Sequence, residues 1–255
     1  HLQNDKPWGR RNQSIPFDEI LVYKHIPNFE TKHTRQEFSN IIKFNSKGLR
    51  DYEYSYENPK GAFRILLIGS SFTQAVQVPL DKAYENLLEK KFNENSKKIE
   101  IINAAVGGYS TAQELFYLRD EGLKYKPDLI LIEFSMRDIL ENSRTPLVSV
   151  EAGKLKEHIP VKASLPKKTL LYCSRYVHLC ALTQNVILTS RKTANSQGLS
   201  PIDMYAKNNS NEFNDAMEKT QLLLLEIKKI ADENNILMAV FIIPYREQVD
   251  NGKFE

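Results

Sequence analysis

Apolar and polar positions change rhythm near residue 64. Ile65–Ile68 is a continuous apolar run, and a run without alternation is what a strand covered on both faces needs. Tyr84, Leu87, Leu88 and Phe92 then mark one face of a helix, with Asp81 placed to cap it. A second strand is predicted at Ile99–Ala104 and a third at Asp128–Phe134. Between them, "AVGGYSTAQEL" holds a tight turn at Gly107-Gly108. A capping box follows, Ser110 with Gln113 or Thr111 with Glu114, and opens a helix that Gly122 is placed to stop. Phe213, Met217, Thr220, Leu224, Ile227 and Ala231 recur at helical spacing and predict a long amphipathic helix. It feeds a fourth strand, Ile236–Ile243, closed by Pro244. Strands alternating with helices at this spacing predict right-handed βαβ units on a parallel sheet.

The fold class expected is α/β: three layers, α/β/α, around a parallel flavodoxin-like sheet, with an irregular β-containing N-terminal extension. Residues 1–60 form that extension of short strands and loops. They include a β-like run, Ile41–Phe44, before the turn signal Asn45-Ser-Lys-Gly48. Residues 61–255 form the main domain. An insertion at 143–210 begins with a hairpin turning at Ala152-Gly153 and continues with a helix at about 168–190. The expected strand order is two, one, three, four, which leaves the fourth strand, apolar on both faces, at an edge.

Composition narrows the function classes. The 255 residues carry 35 basic and 32 acidic side chains, a net charge of +3 that is too even to argue for nucleic acid. The apolar segment nearest in length to a membrane span, Leu170–Leu188, is interrupted by Arg175, His178, Gln184 and Asn185, so no transmembrane segment is predicted. Cys173 and Cys180 are seven apart in a predicted helix, about 10 Å between Cα atoms, too far for a disulfide. No Cys/His metal spacing occurs, and no cofactor is implied.

In an open parallel sheet, ligands bind beyond the carboxyl ends of the strands. Three segments converge there: Gly69-Ser70-Ser71, Val106-Gly107-Gly108 and Ser135-Met136-Arg137-Asp138. A hydroxyl, a glycine turn with free N–H groups and a polar donor are the parts of an acyl-transfer site. The same pieces also read as polar turns that merely cap helices. No Gly-Lys-Ser/Thr follows and no G-x-G-x-x-G is present, which disfavours a nucleotide binder.

"ILLIGSSFTQAVQV" resembles the first sequence block of the SGNH (GDSL-type) hydrolases, "INAAVGGYSTAQEL" the second and "YKPDLILIEFSMRDILEN" the third. "LMAVFIIPYREQV" is similar to the next core strand of that group. The resemblance covers about residues 60–142 and 211–249. It implies Ser71 as nucleophile, with the Ser71 and Gly108 N–H groups lining an oxyanion hole. Arg137 stands where the family's oxyanion asparagine is expected, and Ser70 replaces the usual aspartate. The family's base is a histidine in a late Asp-x-x-His block. None of the five histidines here (His1, His25, His33, His158, His178) has an aspartate three residues before it. The expectation is that the native chain continues beyond Glu255 with a further strand and helix carrying that block.

The resemblance thus implies a serine ester hydrolase or acyltransferase acting on a small-molecule ester or an acylated glycan or lipid, without metal or organic cofactor. The alternative is a non-catalytic relative that binds a glycan or a partner. The start at His1 and the family's frequent use on cell-envelope glycans point to an extracytoplasmic home, with a cytoplasmic one left open.

Overall fold

A computed structural model describes residues 17–58, 61–94, 98–158 and 210–244. The N-terminal part is two antiparallel hairpins, β1 (Phe17–Asp18) with β2 (Val22–Tyr23), and β3 (Glu30–Thr34) with β4 (Ser39–Lys43). The turn after β4 forms as its residue types predict. The Gly48 N–H donates to the Asn45 carbonyl, and Asn45 Oδ1 accepts from the Lys47 and Leu49 N–H groups. Gly48 is left-handed (φ +80°), and a Cβ there would lie 2.9 Å from the His25 carbonyl oxygen.

From residue 63 the chain winds β5 (Phe63–Ile68), α1 (Ser71–Gln74), α2 (Tyr84–Asn93), β6 (Ile99–Asn103), α3 (Thr111–Asp120), β7 (Leu129–Phe134) and α4 (Met136–Arg144). A hairpin, β8 (Val148–Glu151) with β9 (Lys154–Glu157), turns at Ala152-Gly153, both left-handed. The described chain ends with α5 (Asn211–Glu233) and β10 (Leu237–Ile242). The main sheet runs β10-β7-β5-β6, every pair parallel. This is the expected order. The predicted helix at 168–190, with Cys173, Cys180 and His178, lies outside the described residues, as does His1.

Side-chain alternation along each strand feeds both outer layers. Leu66, Ile68, Ile102, Ile130 and Ile132 pack with Leu115 and Leu118 of α3 and Leu223 and Ile227 of α5. Ile65, Leu67 and Ile101 face the other way and are covered by Tyr84 of α2. Demand from both layers is why these strands read as unbroken apolar runs. Leu21 and Leu49 of the extension are buried in the same cluster as Leu66 and Ile102. The sheet begins at residue 63, but the core it organises reaches back into the extension.

Two local expectations need correction. Asp81 does not cap α2; it sits in a 3-10 turn, Leu80–Lys82, that Pro79 opens, and the helix starts after Ala83 with no side-chain cap. Gly122 does not stop α3 by a left-handed turn. It starts a 3-10 turn, Gly122–Tyr125, and is glycine because a Cβ would meet Leu66 Cδ2 at 2.7 Å. The left-handed residue is Lys126. β10 stands at the sheet edge, as the expected strand order has it; Leu237 and Ile242 are 64% and 70% exposed, and among the described residues only β7 flanks it. No helix among the described residues is long and apolar enough to cross a membrane.

Candidate active site

α1 is only four residues long, too short to hold itself together in isolation. Its ends are held by side chains from elsewhere. At its C-terminal end the Thr73 carbonyl accepts from Asn103 Nδ2 at 2.9 Å, and the Gln74 carbonyl from Arg50 NH1 at 2.7 Å. The second nitrogen of the buried Arg50 guanidinium donates to the Val78 carbonyl at 2.6 Å. The helix closes on Ala75, left-handed at φ +50°. At its N-terminal end Ser70 is the cap residue, and its N–H donates to Glu133 Oε2 at 2.9 Å. Glu133 reaches up from β7 through the space next to Gly69. A Cβ on Gly69 would stand 2.7 Å from Glu133 Cβ, so only glycine fits. Ser71, partly exposed, thus occupies the first helical position at the carboxyl end of β5.

The second segment lies at the end of β6. Residues 106–109 form a turn in which the Tyr109 N–H donates to the Val106 carbonyl at 3.0 Å, with Gly108 left-handed at φ +85°. The turn feeds straight into α3, whose cap is Ser110. The predicted capping box is present, with Gln113 as the partner. The Gly107 N–H donates to Gln74 Oε1 at 3.0 Å, and Gln74 belongs to α1. A hydrogen bond therefore joins the serine helix to the glycine turn, the two pieces that an acyl-transfer site must hold together.

The third segment behaves differently. Ser135 caps α4 in a second capping box, its N–H donating to Asp138 Oδ2 at 2.6 Å. Arg137 is 55% exposed, and its Nε donates to Glu141 Oε1 at 3.2 Å, a pair one turn along its own helix. That position does not favour the oxyanion donor expected of it: the guanidinium is held by Glu141 on the outer face of α4. His33 and His158 are engaged elsewhere, His33 stacking on Phe38 and His158 contacting Ser149, whereas His25 contacts Gln74 of α1.

Beneath the site lies a group of acids that pattern reading missed. Glu133, Asp138 and Glu114 are all buried. Burial pushes the Asp138 carboxyl up to about 7, with the neighbouring Glu133 adding to the shift. Burial also raises Glu114 well above the usual carboxylate range, with Asp138 and Glu133 as its charged neighbours. Glu114 Oε1, Glu133 Oε1 and Asp138 Oδ1 make no hydrogen bond to the described residues. Among those residues no group of three His, Cys, Asp or Glu side chains is arranged to hold a metal ion. Asn103 and Glu133 lie within the family-like blocks without a role assigned to them, and Arg50 lies outside the blocks; the signal at Asn103 and Glu133 was a polar residue ending or interrupting an apolar run. A cleft of about 390 Å³ lined by Phe116, Arg119, Glu157 and His158, among others, and one of about 470 Å³ lined by Tyr52, Tyr54, Glu89 and Lys98, among others, both lie away from Ser71.

No protein-family model matches the chain. An arylesterase from Vibrio mimicus is 26% identical over 92 residues, 36% of this chain and 46% of that protein, so the match spans less than half the relative's length. This chain is similar to the SGNH-type esterases. Among solved structures, the psychrotrophic esterase EstA from Pseudoalteromonas sp. aligns over 70% of this chain and 77% of its own, at 17% identity and a TM-score of 0.32. An acetyl xylan esterase, AlAXEase, aligns over 69% and 76%, at 16% identity and a TM-score of 0.32. Superpositions this loose carry no argument about the site. What this chain shares with SGNH-type esterases is three sequence blocks around Ser71, Gly108 and Arg137, the arylesterase match and its strand order.

Proposed function

We propose that the chain is a serine ester hydrolase or acyltransferase that works through a Ser71 acyl-enzyme. The observation that carries this reading is the hydrogen bond from the Gly107 N–H to Gln74 Oε1, which ties the Ser71 helix to the Gly107-Gly108 turn. Ser71 Oγ attacks the ester carbonyl carbon and gives up its proton to a base. The carbonyl oxygen becomes an oxyanion received by the Ser71 and Gly108 N–H groups. The carbon–oxygen bond to the alcohol breaks, and the alcohol leaves with the proton. Water, or a sugar hydroxyl in the transferase case, then attacks the acyl-enzyme and frees Ser71. The substrate class is an acyl ester of a lipid or a glycan. The family resemblance implies as base the histidine of an Asp-x-x-His block, a spacing that none of the five histidines of residues 1–255 has.

Two observations favour the second reading, a non-catalytic domain that binds a glycan or a partner. His33 and His158 are engaged with Phe38 and Ser149, and Arg137 is held by Glu141. A fluorophosphonate ester probe separates the readings. Covalent labelling of the full-length protein at Ser71, mapped by peptide mass spectrometry, supports the enzyme. An unlabelled protein that still binds acylated glycan supports the binder.

A further inference from the structure

The N-terminal extension reaches the glycine turn with unusual density. The Tyr23 hydroxyl donates to the Gly107 carbonyl at 3.2 Å. It also closes over Gly108, where a Cβ would lie 2.9 Å from that oxygen. Tyr23 is fixed in turn. Its own carbonyl accepts from the Tyr109 hydroxyl at 2.7 Å, and its ring meets the Tyr109 ring edge-on at 5.3 Å between centroids. The preceding Leu21 carbonyl accepts from Gln113 Nε2 at 2.7 Å. Between them stands Val22, left-handed at φ +69°. A β-branched residue takes that conformation only where its surroundings impose it. Here it is the conformation that carries the chain from the Gln113 contact to the Tyr109 contact. On the opposite side of the turn, Gln74 accepts from the Gly107 N–H and contacts His25 at 2.6 Å, and His25 is stacked on Phe44.

The Gly107 carbonyl and the Gly108 N–H belong to one peptide unit. That unit is planar and trans, so its C=O and N–H point in opposite directions. A donor holding the carbonyl therefore aims the N–H, and a hydrogen bond accepted by the carbonyl also polarises the N–H as a donor. We propose that Tyr23 is a positioning residue for the oxyanion hole: through the Gly107 carbonyl it fixes the direction and donor strength of the Gly108 N–H. The proposal rests on the esterase reading for its chemical consequence, while the hold on the turn stands on the contacts themselves. The extension then belongs to the active site as a brace.

Gly107-Gly108 is the sole Gly-Gly pair in the sequence. Glycine labelled with ¹³C at the carbonyl and with ¹⁵N therefore gives one carbonyl–amide correlation in an HNCO spectrum, which reports this peptide alone. Tyr23→Phe removes the donor and keeps the ring. The expected result is movement of that peak in the carbon dimension. It is accompanied by a fall of about three- to tenfold in kcat for a p-nitrophenyl ester, the loss of one hydrogen bond, with KM within about twofold. An unmoved peak overturns the proposal whether or not the protein is an esterase. A moved peak with kcat within about twofold of an active parent overturns Tyr23 as a positioning residue. A moved peak in a protein that hydrolyses no ester leaves the brace standing and removes the esterase reading instead.

Discussion

Ser70 and Ser71 are adjacent but unlike. Ser70 is buried, with its N–H donated to Glu133, whereas Ser71 opens the helix and is partly exposed. Ser71→Ala is expected to abolish fluorophosphonate labelling of the full-length protein, and Ser70→Ala to retain most of it; equal labelling of the two variants would sink the assignment. Arg137 gives a test of opposite sign. Removing an oxyanion donor typically costs about 10²–10³ in turnover. Because the guanidinium is held by Glu141 on the exposed side of α4, Arg137→Ala is expected to leave turnover of a p-nitrophenyl ester within about twofold. A hundredfold loss would return Arg137 to the hole.

At the scale of elements, the site is a set of helix and strand ends held by side chains from distant segments. Gly69 and Gly108 are where that arrangement leaves least room. A Cβ at 69 meets the stem of Glu133, which cannot swing aside, and a Cβ at 108 meets the Tyr23 hydroxyl on a left-handed backbone. Each Gly→Ala variant is expected to lose about 1–3 kcal/mol in urea unfolding. Ala at Gly153, left-handed but with open space around its Cβ position, loses less. The same elements show what could be read from sequence. β5, β6, β7, the capping box at Ser110 and the hairpin turn at Ala152-Gly153 are dictated by neighbours a few residues away, so pattern finds them. Asp81 misled because Pro79 opens a separate 3-10 turn ahead of α2. The blocks mark Ser71 and Gly108 as candidates. They do not mark what Arg50, Asn103 and Glu133 do, since each acts on a segment whose approach is set by the tertiary fold. At Arg137 the motif position fixes the backbone and leaves a long side chain free to pair with Glu141.

At the scale of the whole molecule, several carboxyl groups are raised chiefly by burial: those of Glu114, Asp138, Asp51, Glu85 and Glu89. A carboxyl raised in the folded state contributes stability that is fully present below its unfolded value and is lost as pH climbs through the folded one. For Asp138 that window runs from 3.8 to about 7. The urea midpoint is therefore expected to fall between about pH 4 and pH 7. Asp138→Asn, which keeps an acceptor for the Ser135 N–H, should flatten that slope; an unchanged slope would contradict the assignment to Asp138. The brace around the glycine turn also bears on how the chain is made. Tyr23 and Leu21 emerge from the ribosome first, but their partners Gly107 and Gln113 follow 84 and 92 residues later. At roughly 5–20 residues per second that is a wait of about 4–18 s. Through that interval the Tyr109 and Gln113 contacts that impose the Val22 conformation are absent, so the segment that finishes the site stays open to chaperones and proteases during synthesis.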